Sequence, residues 1–201
     1  MIRLLDEFLP PKRGDLSAAD VEKLTRWLQH GRPEEKQQAL FKLIRAAAES
    51  ALASCLGAKD AITAQFATEG LWECWLNEKG PIARRRIEEG IKRLEAGDLS
   101  EAEAIFQSLM VEFPDWAEAA NKLATLLYLR GRARESFTLC QQVVEKKPHH
   151  FGAWNGMALC AVQLEDWKAA LTAATQAQRL QPRTAANREI INLAKAKLGS
   201  S

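Results

Sequence analysis

The chain has 201 residues, 47% of them hydrophobic and 27% charged, with 28 basic against 26 acidic side chains and a formal net charge of +2. This is the composition of a folded globular chain of one or two domains, which excludes fibrous and disordered classes; at this length about 70% of the unfolded surface is buried, enough for a core without disulfides or metals. No apolar run approaches the roughly 18 residues of a membrane-spanning helix and no secretory pattern opens the chain, so the expected compartment is the cytoplasm, or the plastid stroma or another organelle for a trimmed mature form.

Strand signals are almost absent, and Ala, Leu, Glu, Lys and Gln fill the segments between Gly and Pro breaks, so the expected fold class is all-α. Ile2, Leu5, Phe8 and Leu9 make a short amphipathic stretch stopped by Pro10-Pro11. Such a stretch is marginal alone, and two covers are open: docking on the neighbouring helices, or occupying a groove elsewhere. Ser17-Ala-Ala-Asp20 reads as a capping box opening a helix to Gly31. A longer helix is expected from Pro33 to about Leu56, with Leu40, Phe41, Ile44, Ala47, Ala48, Leu52 and Cys55 on its apolar side. Asp60 caps the next helix, in which Phe66, Leu71, Trp72, Cys74 and Trp75 crowd one sector until Gly80-Pro81. Trp27, Trp72 and Trp75 are expected to staple these helices rather than bind a cofactor. Cys55, Cys74, Cys140 and Cys160 show no Cys-x-x-Cys pair and no zinc spacing, so reduced core thiols without a metal or cofactor are expected.

Beyond Gly80 the chain is periodic. Pro114, Pro148 and Pro182 stand 34 residues apart, the length of a helix-turn-helix repeat. In windows 83–116, 117–150 and 151–184, Gly90, Ala124 and Ala158 share the eighth place and Ala102, Ser136 and Ala170 the twentieth, both places of close helix approach. Gly97 and Gly131 share the fifteenth, at the turn, where Glu165 departs. Phe106, Cys140 and Ala174 share the twenty-fourth. With Trp154 and Asn155 at the fourth and fifth places, this pattern resembles the tetratricopeptide repeat family over residues 83–184; Arg86 and Ala120 depart from the aromatic at the fourth place.

The resemblance implies a right-handed α-solenoid of three repeats, preceded by a helical extension over 1–80 and closed by a capping helix and tail over 185–201. It also implies a non-enzymatic module that binds a protein segment in a concave groove, as an adaptor or assembly factor. The groove places fall on Arg84, Ile87 and Ile91 of the first repeat, on Glu118, Asn121, Thr125 and Tyr128 of the second, and on Asn155, Leu159 and Gln163 of the third. Asn121 and Asn155, one repeat apart, each offer a donor and an acceptor to a peptide backbone. The Lys/Asn clamp by which related co-chaperones hold the acidic tails of heat-shock chaperones matches only at Asn121; Ile87 and Ile91 stand where it needs Lys and Asn, so such tails are excluded as the expected partner. An apolar groove with a polar trim suits an amphipathic helix or an extended apolar segment.

Arg84-Arg85-Arg86, Arg130 with Arg132 and Arg134, and Lys146-Lys147 with His149-His150 form three basic turns. They read as a solvated rim, the alternative being a nucleic-acid-associated repeat protein. No nucleophile has a base that the repeat geometry would bring near it, so catalysis is not expected.

Overall fold

A computed structural model describes residues 16–199, which divide into a unit ending at Arg85 and a unit running from Arg86. All regular structure among the described residues is helical, and no described helix is long and apolar enough to cross a membrane. The amphipathic stretch at residues 2–9 lies outside the described residues.

In the first unit α1 (Ala18–His30) starts with the expected capping box: the Asp20 N–H donates to Ser17 Oγ at 3.1 Å, and the Asp20 carboxylate accepts the Ser17 N–H at 3.2 Å. α2 (Pro33–Arg45) has its proline in the first turn, where the missing N–H costs nothing. The expected single helix to Leu56 is instead two helices, α2 and α3 (Glu49–Ser54). The break falls at Ala47, in the left-handed region with φ of 49°, and is closed by the Ala48 N–H donating to the Leu43 carbonyl and the Ala47 N–H to the Ile44 carbonyl, both at 2.9 Å. Local propensity favours a continuous helix through Ala46, Ala47, Ala48 and Glu49. Turning the chain back instead buries Leu52 completely and lets Glu49 accept the indole N–H of Trp75 at 3.0 Å, which outweighs the roughly 1–2 kcal/mol of a left-handed alanine. The buried stripe of α2 is Ala39 and Leu43, one residue away from the expected one, and Phe41 is 42% exposed.

α4 (Ala61–Asn77) is capped by Asp60, whose carboxylate accepts the Thr63 N–H at 3.1 Å. Lys36 reaches from α2 to Asp60 at 2.5 Å and to the Thr63 hydroxyl at 2.6 Å, and that hydroxyl donates to the Leu28 carbonyl of α1 at 2.9 Å. Three helices thus meet at one threonine. Trp75 is fully buried and packs edge-to-face on Trp72 at 5.1 Å. Trp27 lies under the Lys23 ammonium at 4.9 Å.

α5 (Gly80–Glu95) begins at Gly80, with φ of 83°, and continues into the second unit, where α6 (Leu99–Glu112), α7 (Ala117–Leu129), α8 (Ala133–Lys146), α9 (Phe151–Gln163), α10 (Trp167–Leu180) and α11 (Ala185–Gly199) follow. The intra-pair turns are alike. Gly97, Gly131 and Glu165 all have positive φ, at 82°, 75° and 57°. The residue after each donates back to the carbonyls of Arg93, Leu127 and Ala161, every time at 2.9 Å, so Glu165 departs in sequence but not in backbone. Where the paired helices touch, Gly90 leaves room for the fully buried Phe106, while Ala124 and Ala158 are fully buried at the same place. Ser136 fills the twentieth place and donates its hydroxyl to the Ala124 carbonyl at 2.7 Å. α11 packs on the array through Ile190, Ile191 and Ala194. All four cysteines are free and buried.

Candidate peptide-binding surface

The first helices of the pairs, α7 and α9, carry most of the ten candidate groove residues, and the structure sorts them by what covers them. Ile87, Glu118 and Asn121 are buried by the chain's own residues. They are core rather than ligand contacts, because a 34-residue register fixes which side of a helix a residue occupies but not how deeply neighbouring helices cover it. Arg84 is held by Glu73, with two guanidinium N–H groups donating to the carboxylate at 2.6 and 3.2 Å. Ile91, Tyr128 and Asn155 are half-buried. The Asn155 Oδ1 is turned inward to a solvent-inaccessible position, which does not suit the hydrogen bond to a ligand expected of it. Thr125, Leu159 and Gln163 are exposed; the Thr125 hydroxyl donates to the Asn121 carbonyl at 3.0 Å.

What the structure adds is a row of leucines. Leu129 on α7 is 59% exposed, and Leu159 on α9 and Leu193 on α11 are each 41% exposed. Leu159 and Leu193 are 34 residues apart, so α11 supplies the ninth place of a further window. Leu129 stands at the thirteenth place, one turn along the same helix face. Reading α11 only as a solvating cap hid Leu193. Extending the 34-residue alignment past Pro182 finds it.

Glu118 belongs to a buried polar cluster. His150, fully buried, stands directly before α9, and its Nδ1 accepts the Ala153 N–H at 3.1 Å. Its Nε2 therefore carries the proton and donates to Glu118 Oε2 at 3.0 Å. Lys122 lies 2.9 Å from the other carboxylate oxygen, and Asn121 Nδ2 donates to the first at 3.4 Å. Burial alone would push the Glu118 carboxyl up, but the His150 hydrogen bond and the Lys122 charge together hold it below the ordinary range. His150 is thus not part of a solvated basic turn. It is a helix cap that sequence reasoning missed, signalled only by its place one residue before a helix start.

Four arginines of these turns, Arg84, Arg86, Arg130 and Arg132, are paired with carboxylates of the chain. Glu103 takes Arg130 at 2.5 Å and Arg132 at 2.9 Å, Glu135 takes Arg132 at 2.6 Å, and Arg86 pairs with Glu112. A phosphate backbone would have to displace these carboxylates to reach the four paired arginines, which weakens the case for the nucleic-acid alternative. Cys140 is pushed up to about 12, by burial and then by the nearby Cys160, and is an inert core thiol.

Residues 95–177 match the family described as anaphase-promoting complex, cyclosome, subunit 3. A 45-residue stretch is 44% identical to a tetratricopeptide-repeat-containing protein of Rhizobium etli, covering 22% of this chain and 22% of that protein. Among solved structures, the Sgt2 repeat domain of Aspergillus fumigatus is 16% identical with a TM-score of 0.56, over 59% of this chain and 80% of that one. MamA of Desulfovibrio magneticus is 18% identical with a TM-score of 0.54, over 90% of this chain and 86% of that one. The first repeat domain of Spaghetti, solved bound to an HSP90 peptide, is 15% identical with a TM-score of 0.55, over 57% and 90%. At these identities the structures speak for the fold alone. With the repeated turns at Gly97, Gly131 and Glu165, they give the chain the fold of a tetratricopeptide repeat array, and the matched family model and the Rhizobium etli stretch fall within that array.

Proposed function

We propose that the face carrying Leu129, Leu159 and Leu193 binds a segment of a partner protein, with the chain acting as an adaptor or assembly factor. The observation that carries this reading is the row itself: three large apolar side chains, exposed at related places on three helices that the repeat brings side by side. Thr125 and Gln163 border the row with polar groups. An apolar or amphipathic segment fits it, and the acidic peptide carried by the Spaghetti domain does not, because Ile87 is buried and Ile91 has no charge to offer. The fold is that of a binding scaffold, and this reading gives it no catalytic role.

The test is capture of partners from a cell extract on the immobilised full chain, beside Leu159→Glu with Leu193→Glu and beside Val111→Glu. Val111 is 85% exposed on α6, so the last variant controls for added charge. Loss of the captured band with the leucine pair alone supports the surface, whereas equal capture by all three proteins overturns it. Binding through apolar contacts should persist from about 50 to about 200 mM salt, while contacts to phosphates would weaken by orders of magnitude.

A further inference from the structure

His150 joins two jobs that need opposite ring chemistry. To cap α9, its Nδ1 must keep a bare lone pair for the Ala153 N–H, which it shares with the His150 carbonyl, each at 3.1 Å. To hold Glu118, its Nε2 must carry a proton, and a second ring proton would strengthen that contact into an ion pair. Neutral imidazole does both. Imidazolium cannot, since a proton on Nδ1 would face the Ala153 N–H donor to donor and set a positive charge at the positive end of the α9 dipole.

We infer that His150 is a proton-operated latch on the start of α9: protonation keeps the bond to Glu118 and releases the cap, so the first turn of α9 opens while α7 and the preceding turn stay in place. Histidine is the side chain whose ordinary titration lies between about pH 5 and 8. The groups around the ring favour this division. Glu118 supplies the anion from α7, with Lys122 on the same helix competing for its second oxygen. Lys147 and His149 precede His150 in the turn, where the His150 N–H donates to the Lys147 carbonyl at 2.9 Å. Lys146, at the end of α8, is directed to the Pro114 carbonyl at 2.8 Å. α9 itself brings no acidic residue to its first turn that could take over the cap. The Phe151 ring lies beside the imidazole at 6.5 Å, so opening this turn exposes an apolar side chain. Because α9 carries Leu159 and Gln163, the latch would loosen the proposed binding face in acid; that consequence rests on the groove reading, and the latch does not.

The experiment is backbone and imidazole NMR of the full chain between about pH 7.5 and pH 5.5, with His149→Asn and His150→Asn beside the wild type. In His150→Asn the new amide side chain keeps an acceptor for the cap and does not titrate. Across that range the Ala153 and Trp154 amides should lose about fivefold in exchange protection, the effect of losing one cap. The same loss should appear in His149→Asn and be absent from His150→Asn. Protection that does not change across that pH range, or an equal loss in His150→Asn, overturns the latch. Should His150→Asn fail to fold, Glu118→Gln decides: it keeps the acceptor for Nε2 but removes the charge that favours imidazolium, so the loss must move to lower pH, and an unmoved midpoint overturns the proposal.

Discussion

The unit ending at Arg85 and the unit from Arg86 are both helical, but they mix large and small buried side chains in different proportions. The first is built on large side chains: Leu24, Leu28, Leu43, Leu52, Leu71 and Trp75 are buried, and its helices are joined by long polar reaches such as Lys36 to Asp60 and Trp75 to Glu49. The second adds many small ones, with Ala102, Ala119, Ala124, Ala153, Ala158, Ala161, Ala170 and Ala174 all fully buried beside large residues such as Phe106, Leu109 and Trp116. Small residues let helix axes approach closely, so contact comes from backbone proximity instead of side-chain bulk. A core of large pieces is vulnerable to their removal. A core of small ones is vulnerable to their enlargement.

The largest expected effect is therefore Trp75→Ala in the first unit, which deletes a fully buried indole and its bond to Glu49 and should cost about 3–5 kcal/mol in urea unfolding. Its counterpart in the second unit is Gly90→Leu. A Cβ at Gly90 would already stand 2.5 Å from the Phe106 ring, so overpacking should cost about 3 kcal/mol. If Gly90→Leu melts like wild type, the account of the array as close-packed fails. Ala124→Leu, at the equivalent place, should behave like it.

The second unit carries a buried carboxylate whose contribution to stability depends on pH. Glu118 is held below the ordinary carboxylate range, so its folded form binds the proton less readily than its unfolded form. The stability it contributes is complete above the unfolded value of about 4.3 and is lost as pH falls through the folded one. Glu118→Gln should flatten that acid limb of stability against pH. Asn121→Ala should cost about 1 kcal/mol through the lost bond to Glu118, where a groove residue would cost nothing.

These outcomes bear on what could be read from the chain. The repeat register was legible because it is written in residue size: Gly90, Ala124 and Ala158 must be small whatever binds, and the helix starts at Ala117 and Phe151 coincide with the windows drawn from the prolines. Burial at the groove places was not. Glu118 and Asn121 are polar, and periodicity gives no reason to bury them; the reason is His150, 32 residues from Glu118 along the chain and brought beside it only by the stacking of successive pairs. The break at Ala47 was hidden differently, since its residues favour helix and only Leu52 and Glu49 finding partners on α4 explains the turn.

The smallest expected effect is also the cleanest comparison of the two units, because the same left-handed turn occurs in both. Gly97 and Gly131 occupy it at no steric cost, whereas Glu165 in the array and Ala47 in the first unit carry a Cβ there. A Cβ added at Gly97 or Gly131 would meet nothing within 4 Å, so what distinguishes these positions is backbone conformation alone. Glu165→Gly and Ala47→Gly should each raise stability by up to about 1 kcal/mol, the relief of a left-handed non-glycine residue less the added entropy of the unfolded chain. Gly131→Ala should lower it by a similar amount. Denaturant midpoints with unchanged slopes would read these differences directly. Should Glu165→Gly gain while Ala47→Gly loses, the two turns are not equivalent, and the α2–α3 pair would owe its bend to the burial of Leu52 rather than to a repeat-like turn.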